Sequence, residues 1–228
     1  MKTISIAEKK QMEREQQACA WNFDWMIWLE ERPLFLVFDT ETSGLDPWDN
    51  DILSLSWQLI DASKNFEVID EQTFYFDWVS EERTSMEAIR VNGLTREKLA
   101  GLGTVARKEG LEAFAAALNK ADFVVAHNYK FDRKFVIATA RREGTFFSLK
   151  KPYFCTMLQM TDFCRLPGYI YGSLKWPKLS ELARCLKIDD SDIDYHQSCA
   201  DVELTKRCFI NIVSNGLWHN KSLLGQIK

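Results

Sequence analysis

Apolar and polar positions change their spacing several times along this chain, and each change marks an element. Residues 34–38, LFLVF, form an unbroken apolar run, as expected of a central strand covered on both faces. Leu53, Leu55, Trp57 and Leu59 alternate with Ser54, Ser56 and Gln58, which predicts a strand with one wet or partly wet face. Phe66, Val68, Phe74 and Phe76 continue the alternation more loosely. The short spacings between these three runs predict an antiparallel meander. Helical periods then take over. SMEAIRVNGLTREKLAGLG predicts a short helix, a stop at Gly93 and a second start at Thr95. Residues 106–120 are Ala-rich and helical, and 123–126 are a short buried strand. Residues 131–142 form a helix with Phe131, Phe135 and Ala138 on one face. Residues 153–164 predict another short strand and helix, GYIYGSLKWPK a loop, and 179–186 and 198–213 two further helices. Strands first, then helix and strand in alternation, predict an α/β fold with a mixed sheet and helices on both faces.

Ahead of the first strand, residues 1–32 read as an N-terminal helical extension. Trp21, Trp25, Trp28 and Leu29 fall at helical spacing. They describe an amphipathic helix docked on its own domain, or an aromatic stripe offered to a protein partner. Pro33 ends that helix. The main domain is expected over 33–215, with a C-terminal tail over 216–228.

Composition narrows the classes. A chain of 228 residues suits one compact domain with peripheral additions. No apolar stretch is long enough to span a bilayer, and the opening MKTISIAEKKQMEREQQ lacks the apolar centre of a signal peptide. A cytoplasmic protein with no membrane partner is expected. The six cysteines (Cys19, Cys155, Cys164, Cys185, Cys199 and Cys208) are scattered without a Cys-x-x-Cys pair, as for reduced thiols. With only three histidines to help, they do not make a zinc site. The net charge of −4 argues against a general nucleic-acid binder. That objection lapses if four of the acids are neutralised by two divalent cations.

Candidate chemistry begins at LFLVFDTETSGLD, residues 34–46. Asp39 and Glu41 flank Thr40, and residues i and i+2 of an extended chain point to one side. Two carboxylates that close repel unless one takes a proton or a cation sits between them. Hard oxygen ligands suit Mg²⁺ or Mn²⁺. Alone, an Asp-x-Glu at a strand end is better explained by two solvated acids. Gly44 permits a tight turn just beyond, and backbone amides in such a turn can meet a phosphate or hydroxyl. In FVVAHNYKFDRKF a second strand runs out through His127 and Asn128 into a helix. Asn128 suits an N-cap, and Asp132 sits in the first turns, where an acid favours the helix dipole. His127 reads as a core histidine with a satisfied ring. In YHQSCADVELTKRC, Ser198 and Asp201 fit a Ser-x-x-Asp capping signal. On one continuous helix His196 and Asp201 would stand about 140° apart, so His196 is expected on the loop before it.

Taken together, FDTETSGL, HNYKFD and HQSCAD, in this order, resemble the three motifs of the DEDDh (DnaQ-like) 3′→5′ exonuclease family, over residues 34–213. KWPKLSELARCLKI is similar to the segment that leads to the third motif in bacterial members. The resemblance implies a ribonuclease-H-like mixed five-stranded sheet with Asp39 and Glu41 on its middle strand. It implies Asp39, Glu41, Asp132 and Asp201 as catalytic, metal-binding acids for two divalent cations, Mg²⁺ or Mn²⁺. It implies His196 as general base, and Thr42, Leu45 and Asn128 as contacts to the terminal nucleotide. The implied reaction releases nucleoside 5′-monophosphates from a single-stranded 3′ end, DNA being expected ahead of RNA. An RNA-trimming or oligoribonucleotide-degrading nuclease, and a proofreading module docked on a polymerase, are the alternatives. Lys130, Arg133, Lys134, Arg141 and Arg142 read either as phosphate contacts or as a solvated helix face. In the loop 165–178, Tyr169, Tyr171, Lys175 and Trp176 are suited to bases and phosphates, Trp176 being equally suited to the core.

Overall fold

The computed structural model describes residues 33–78 and 80–217. The expected aromatic helix within residues 1–32 and nearly all of the expected tail lie outside the described residues. The strands are β1 (Leu34–Thr42), β2 (Ile52–Asp61), β3 (Glu67–Tyr75), β4 (Phe123–Ala126) and β5 (Tyr153–Cys155). The helices are α1 (Met86–Asn92), α2 (Arg96–Gly101), α3 (Arg107–Lys120), α4 (Tyr129–Arg142), α5 (Thr156–Gln159), α6 (Thr161–Cys164), α7 (Leu179–Leu186) and α8 (Ser198–Ser214). Gly93 ends α1 in the left-handed region at φ +65°, and the Thr95 side chain caps α2, both as the sequence predicts. Among the described residues, no helix is long and apolar enough to cross a membrane.

The five strands form one mixed sheet in the order β3-β2-β1-β4-β5. β2 runs antiparallel to both β1 and β3, while β1, β4 and β5 are parallel. This is the expected meander followed by helix and strand in alternation. β1 pairs with β4 only through Phe35, Leu36 and Val37. Beyond Val37, β1 therefore runs past its parallel neighbour. After β1 the chain turns back to β2, and after β4 it crosses to β5 on the other side. Sheets of this kind open a crevice at the carboxyl ends of such divergent strands.

Alternation along β1 sorts its side chains between two cores. Leu36 and Phe38 pack with Leu111, Phe114 and Leu118 of α3 and Phe135 and Val136 of α4. Phe35 and Val37 pack with Leu182 of α7 and Val202, Phe209 and Ile212 of α8. β1 is covered on both faces, as its unbroken apolar run predicts.

β2 departs from expectation. Its polar face is not wet: Ser54, Ser56 and Gln58 are buried. α8 lies over them. The Ser198 hydroxyl meets those of Ser54 and Ser56 at 2.8 and 2.7 Å, and Gln58 donates to Glu203 at 3.1 Å. A polar face is buried here because the covering helix brings polar partners of its own. For the same reason Ser198 is not the cap of α8. It is the first helical residue, it faces the sheet, and Gln197 holds the cap position.

Residues 43–51, between β1 and β2, form a pinned arch. The Ser43 amide donates to Asp51 O at 2.8 Å and the Asp51 amide to Ser43 Oγ at 2.9 Å. Asp51 is buried and binds Arg83 at 2.7 Å. It also binds Arg142, which donates to Pro47 O at 2.7 Å and Asn50 O at 3.0 Å. Gly44 is required by a close approach, since a Cβ there would stand 2.3 Å from the Asn50 side chain. Replacing Asp51 by Ala leaves two guanidinium groups without their acid. With Arg83 and Arg142 side chains 21% and 24% exposed, the expected loss is about 2–4 kcal/mol, under the range for a fully buried pair. Urea denaturation of Asp51→Ala measures it, and a loss below about 0.5 kcal/mol, the scale of ordinary surface changes, would show the network to be dispensable.

Candidate active site

Three elements meet at the open end of β1. Asp39 and Glu41 lie on the face of β1 that carries Phe35 and Val37, the face covered by α8. Asp201 lies in the first turn of α8, three residues after sheet-bound Ser198. One carboxylate oxygen from each of Asp39, Glu41 and Asp201 falls within 4.8 Å of the others. The Oδ1 atom of Asp201 is buried and has no hydrogen-bond partner. An acceptor left bare beside two other acids is costly unless a proton or cation completes it, so these residues fit a hard divalent ion.

Asp132 reaches the cluster from the opposite face. It is buried in the first turn of α4, and its Oδ1 accepts from the Thr40 amide at 3.2 Å and the Thr40 hydroxyl at 2.7 Å. Thr40 points toward α4 because it stands between Asp39 and Glu41 on an alternating strand. The register that sends two acids to one side thus sends the anchor of the third acid to the other. Thr40 was not among the predicted site residues, although the alternation contains it. Asn92, at the end of α1, was also missed. Its amide donates to Thr42 O at 3.0 Å and its side chain hydrogen-bonds Glu41. Nothing local in the sequence marks that contact.

The remaining predicted residues are placed as follows. His196 is exposed on the loop before α8, as expected, with a left-handed backbone at φ +66°. Its backbone amide and its ring both act on the Asp201 carboxyl. Thr42 is buried and spends its hydroxyl on Gly44 O at 2.7 Å. Leu45 is 83% exposed at the crest of the arch. Asn128 holds the cap position of α4 without a side-chain cap bond and is exposed. His127 is the satisfied histidine the sequence suggests: Nε2 lies 3.0 Å from Pro177 O and Nδ1 2.9 Å from the Thr156 hydroxyl. Burial pulls it down to about 4, so it is neutral.

The five basic residues divide. Arg133 is buried and donates to Leu149 O at 3.3 Å, and Arg142 holds the arch. Lys130 and Arg141 are exposed and Lys134 is half-buried. Trp176 is 64% exposed, which takes it out of the core.

Crowding and burial raise every acid of the cluster. Burial and then the charges of Asp132, Glu41 and Asp201 hold Asp39 well above the usual carboxylate range. Burial, then Asp201 and Asp132, push Glu41 up to about 8. Burial lifts Asp132 to about 7 against the Thr40 hydrogen bonds. Burial lifts Asp201 to about 6 against the pull of His196.

The fold and this cluster define a nuclease-like class of α/β protein. Residues 36–209 match the model of the family described as Exonuclease (RNase_T). The chain belongs to that family, in its DEDDh branch. A PolC-type DNA polymerase III of Halalkalibacterium halodurans is 30% identical over 171 residues, 75% of this chain but 11% of the polymerase. Ribonuclease T of Yersinia pseudotuberculosis is 26% identical over 189 residues, 78% of this chain and 84% of the ribonuclease. Product-bound exonuclease I superposes with a TM-score of 0.65 at 16% identity, over 82% of this chain and 45% of that one. That likeness shows the ribonuclease-H-like fold.

The raised acids set a pH dependence. A carboxyl that stays protonated in the fold and ionises in the unfolded chain makes stability fall as pH rises. His127, pulled down to about 4, acts the other way below its unfolded value of about 6.5. Between pH 6.5 and 8 the acids act alone, through Asp39, Glu41 and Asp132. In EDTA, Tm is expected to fall across that window. Mg²⁺ or Mn²⁺ is expected to raise Tm more at pH 8 than at pH 6.5, because the ionised acids bind it. Calorimetry checks both, and a Tm that holds or climbs in EDTA would count against a buried acid cluster.

Proposed function

We propose that the protein is a metal-dependent 3′→5′ exonuclease that releases nucleoside 5′-monophosphates from single-stranded ends. The observation that carries this reading is the convergence of Asp39, Glu41 and Asp201 within 4.8 Å, with one Asp201 oxygen lacking any donor. Asp39, Glu41 and Asp201 would hold one divalent cation, and Asp39 and Asp132 would serve a second. Mg²⁺ or Mn²⁺ suits such oxygen donors. When bound, the cations activate a water and stabilise charge on the phosphate and the leaving 3′ oxygen.

The chain's own groups do the rest. His196, exposed and beside Asp201, takes the proton of the attacking water as general base. Its place on a loop lets it approach and withdraw. Thr40 fixes the Asp132 carboxyl through two hydrogen bonds. Thr42 shapes the turn that presents Leu45, and Leu45 packs against the terminal base. Asn128, exposed at the start of the helix that carries Asp132 and making no side-chain cap bond there, would assist at the terminal nucleotide. Within the DEDDh branch DNA is taken as the first substrate, supported by exonuclease I of E. coli, solved with a dT13 oligonucleotide. RNA is the second reading, favoured by the ribonuclease T relative that the match covers over 84% of its length. The free cysteines among the described residues fit a cytoplasmic setting, where thiols stay reduced.

The test is degradation of 5′-labelled single- and double-stranded DNA and RNA with Mg²⁺, Mn²⁺ or EDTA. Stepwise loss from the 3′ end, blocked by EDTA, is expected, and the substrate ranking separates DNA from RNA. Asp39→Ala and Asp201→Ala should abolish cleavage with the fold retained, as read by circular dichroism. Near-normal turnover in either would refute the metal assignment. His196→Ala should slow the chemical step by about 10²–10⁴-fold, the usual worth of a positioned general base. An unchanged kcat from pH 6 to 9 would remove His196 from that role.

A further inference from the structure

His196 carries a backbone strain. Its φ is +66°, in the left-handed region. Arg165 and Lys187 share that conformation, but each ends a helix, where it is ordinary. Asn65 and Phe66 take it in the turn between β2 and β3. His196 ends no helix; it stands two residues ahead of Ser198, the first residue of α8. A side-chain-bearing residue held left-handed costs free energy, and it persists only where its surroundings fix it.

The surroundings are specific. Arg207, halfway along α8, donates to both oxygens of Asp192 at 2.8 and 2.7 Å and to Asp189 O at 3.4 Å. Its Nε donates to Glu203 at 2.9 Å. Glu203 accepts in turn from Gln58 of β2 at 3.1 Å. The segment between α7 and α8 is thus moored to the sheet through Asp192, Arg207, Glu203 and Gln58. Exposed ion pairs contribute little as a rule, and a two-pronged arginine within a network is the exception. Inside the segment Tyr195 bonds Asp190 and Gln197 bonds Asp194. On its other side the His196 backbone amide meets the Asp201 carboxyl.

We infer that Arg207 and Asp192 are positioning residues: their ion pair fixes residues 189–197 so that His196 is presented to Asp201 in its strained conformation. The inference rests on the nuclease reading and adds what holds its base in place. Asp192 is four residues before His196, and its side chain is 60% exposed. It is not one of the converging acids, so it acts on the site through the backbone. With both flanks of His196 held, the ring alone is left to turn. Without the ion pair the backbone relaxes and carries the imidazole away, while the metal-binding acids stay where β1 and α8 put them.

The test pairs steady-state cleavage of a 5′-labelled single strand in Mg²⁺ with hydrogen exchange of the full chain in EDTA. Asp192→Ala should lower kcat about tenfold, short of the roughly 10²-fold that a misplaced group can cost, and leave KM unchanged. Asp192→Glu, which keeps the carboxylate, should restore most of it. Arg207→Lys, which keeps the charge and loses the fork, should lower kcat in the same way. In a His196→Ala background Asp192→Ala should cost nothing further, since a residue that acts through another adds nothing once the other is gone. A general loosening of the fold would add its cost in either background. Exchange in Asp192→Ala should rise over residues 189–197 and stay as in the wild type over β1 and β2. Normal kcat in Asp192→Ala, with wild-type cleavage intact, would overturn the clasp and leave the nuclease reading untouched. An equal further loss in the His196→Ala background would overturn action through His196. If the wild type trims no end, the nuclease reading fails, and if His196→Ala trims as fast as the wild type, the base assignment fails. In either case exchange decides the clasp: loosening confined to 189–197 keeps it as the holder of that backbone, and unchanged exchange removes it.

Discussion

Four carboxylates drawn to the end of β1 repel one another, and burial makes each harder to ionise. Glu41 and Asp132, pushed to about 8 and 7, carry much of that tension. The fold answers it from two sides. On one face Asp39 and Glu41 project toward Asp201 of α8. On the other, Thr40 receives Asp132 of α4 with two hydrogen bonds. The acids therefore come together across the sheet edge, and one residue of alternation sends Asp39 and Glu41 toward Asp201, whose Oδ1 has no donor, and Thr40 toward Asp132, which it holds. A site under that strain has a standing demand for positive charge.

The surrounding architecture keeps the acids from relaxing apart. β1 is buried on both faces by two separate cores, so its end cannot swing. α8 is set against β2 by hydroxyl contacts as well as by Val202, Phe209 and Ile212. Hydroxyls fix a register more closely than apolar contacts do, because hydrogen bonds are directional. The arch that carries Leu45 is closed by Arg142, whose own helix begins beside Asp132. One helix thus supports the site at its first turn and the arch at its last.

Much of this could be read in the chain beforehand, for identifiable reasons. Strands and helices with clear periods, such as β1, α7 and α8, fall where the pattern places them, since burial on a regular face is a strong local signal. Asp39 and Glu41 were legible because period two puts them on one side. The position of His196 outside α8 followed from helix geometry. Legibility failed where partners lie far apart in sequence. The alternation in β2 correctly marks two faces but cannot say that Ser198 will cover the polar one. Ser198 itself resembles a cap in sequence, and only the packed sheet shows that its hydroxyl is spent elsewhere. Thr40 and Asn92 escaped notice because their roles depend on Asp132 and Glu41 arriving from other elements. Lys130 and Arg133 look alike in the sequence, yet one is exposed and the other buried against Leu149 O.

The attachment of α8 has a consequence for how the molecule fails. Asp201 and His196 both ride on the last described segment of the chain, and its first turn is held to β2 by a few hydroxyl bonds. Segments open locally at lower cost than whole domains. Peeling that turn away would remove one acid and the imidazole together while the meander and its apolar layers stayed intact. Silence would then precede collapse: mild denaturant would leave a molecule that still looks native to far-ultraviolet light and no longer works.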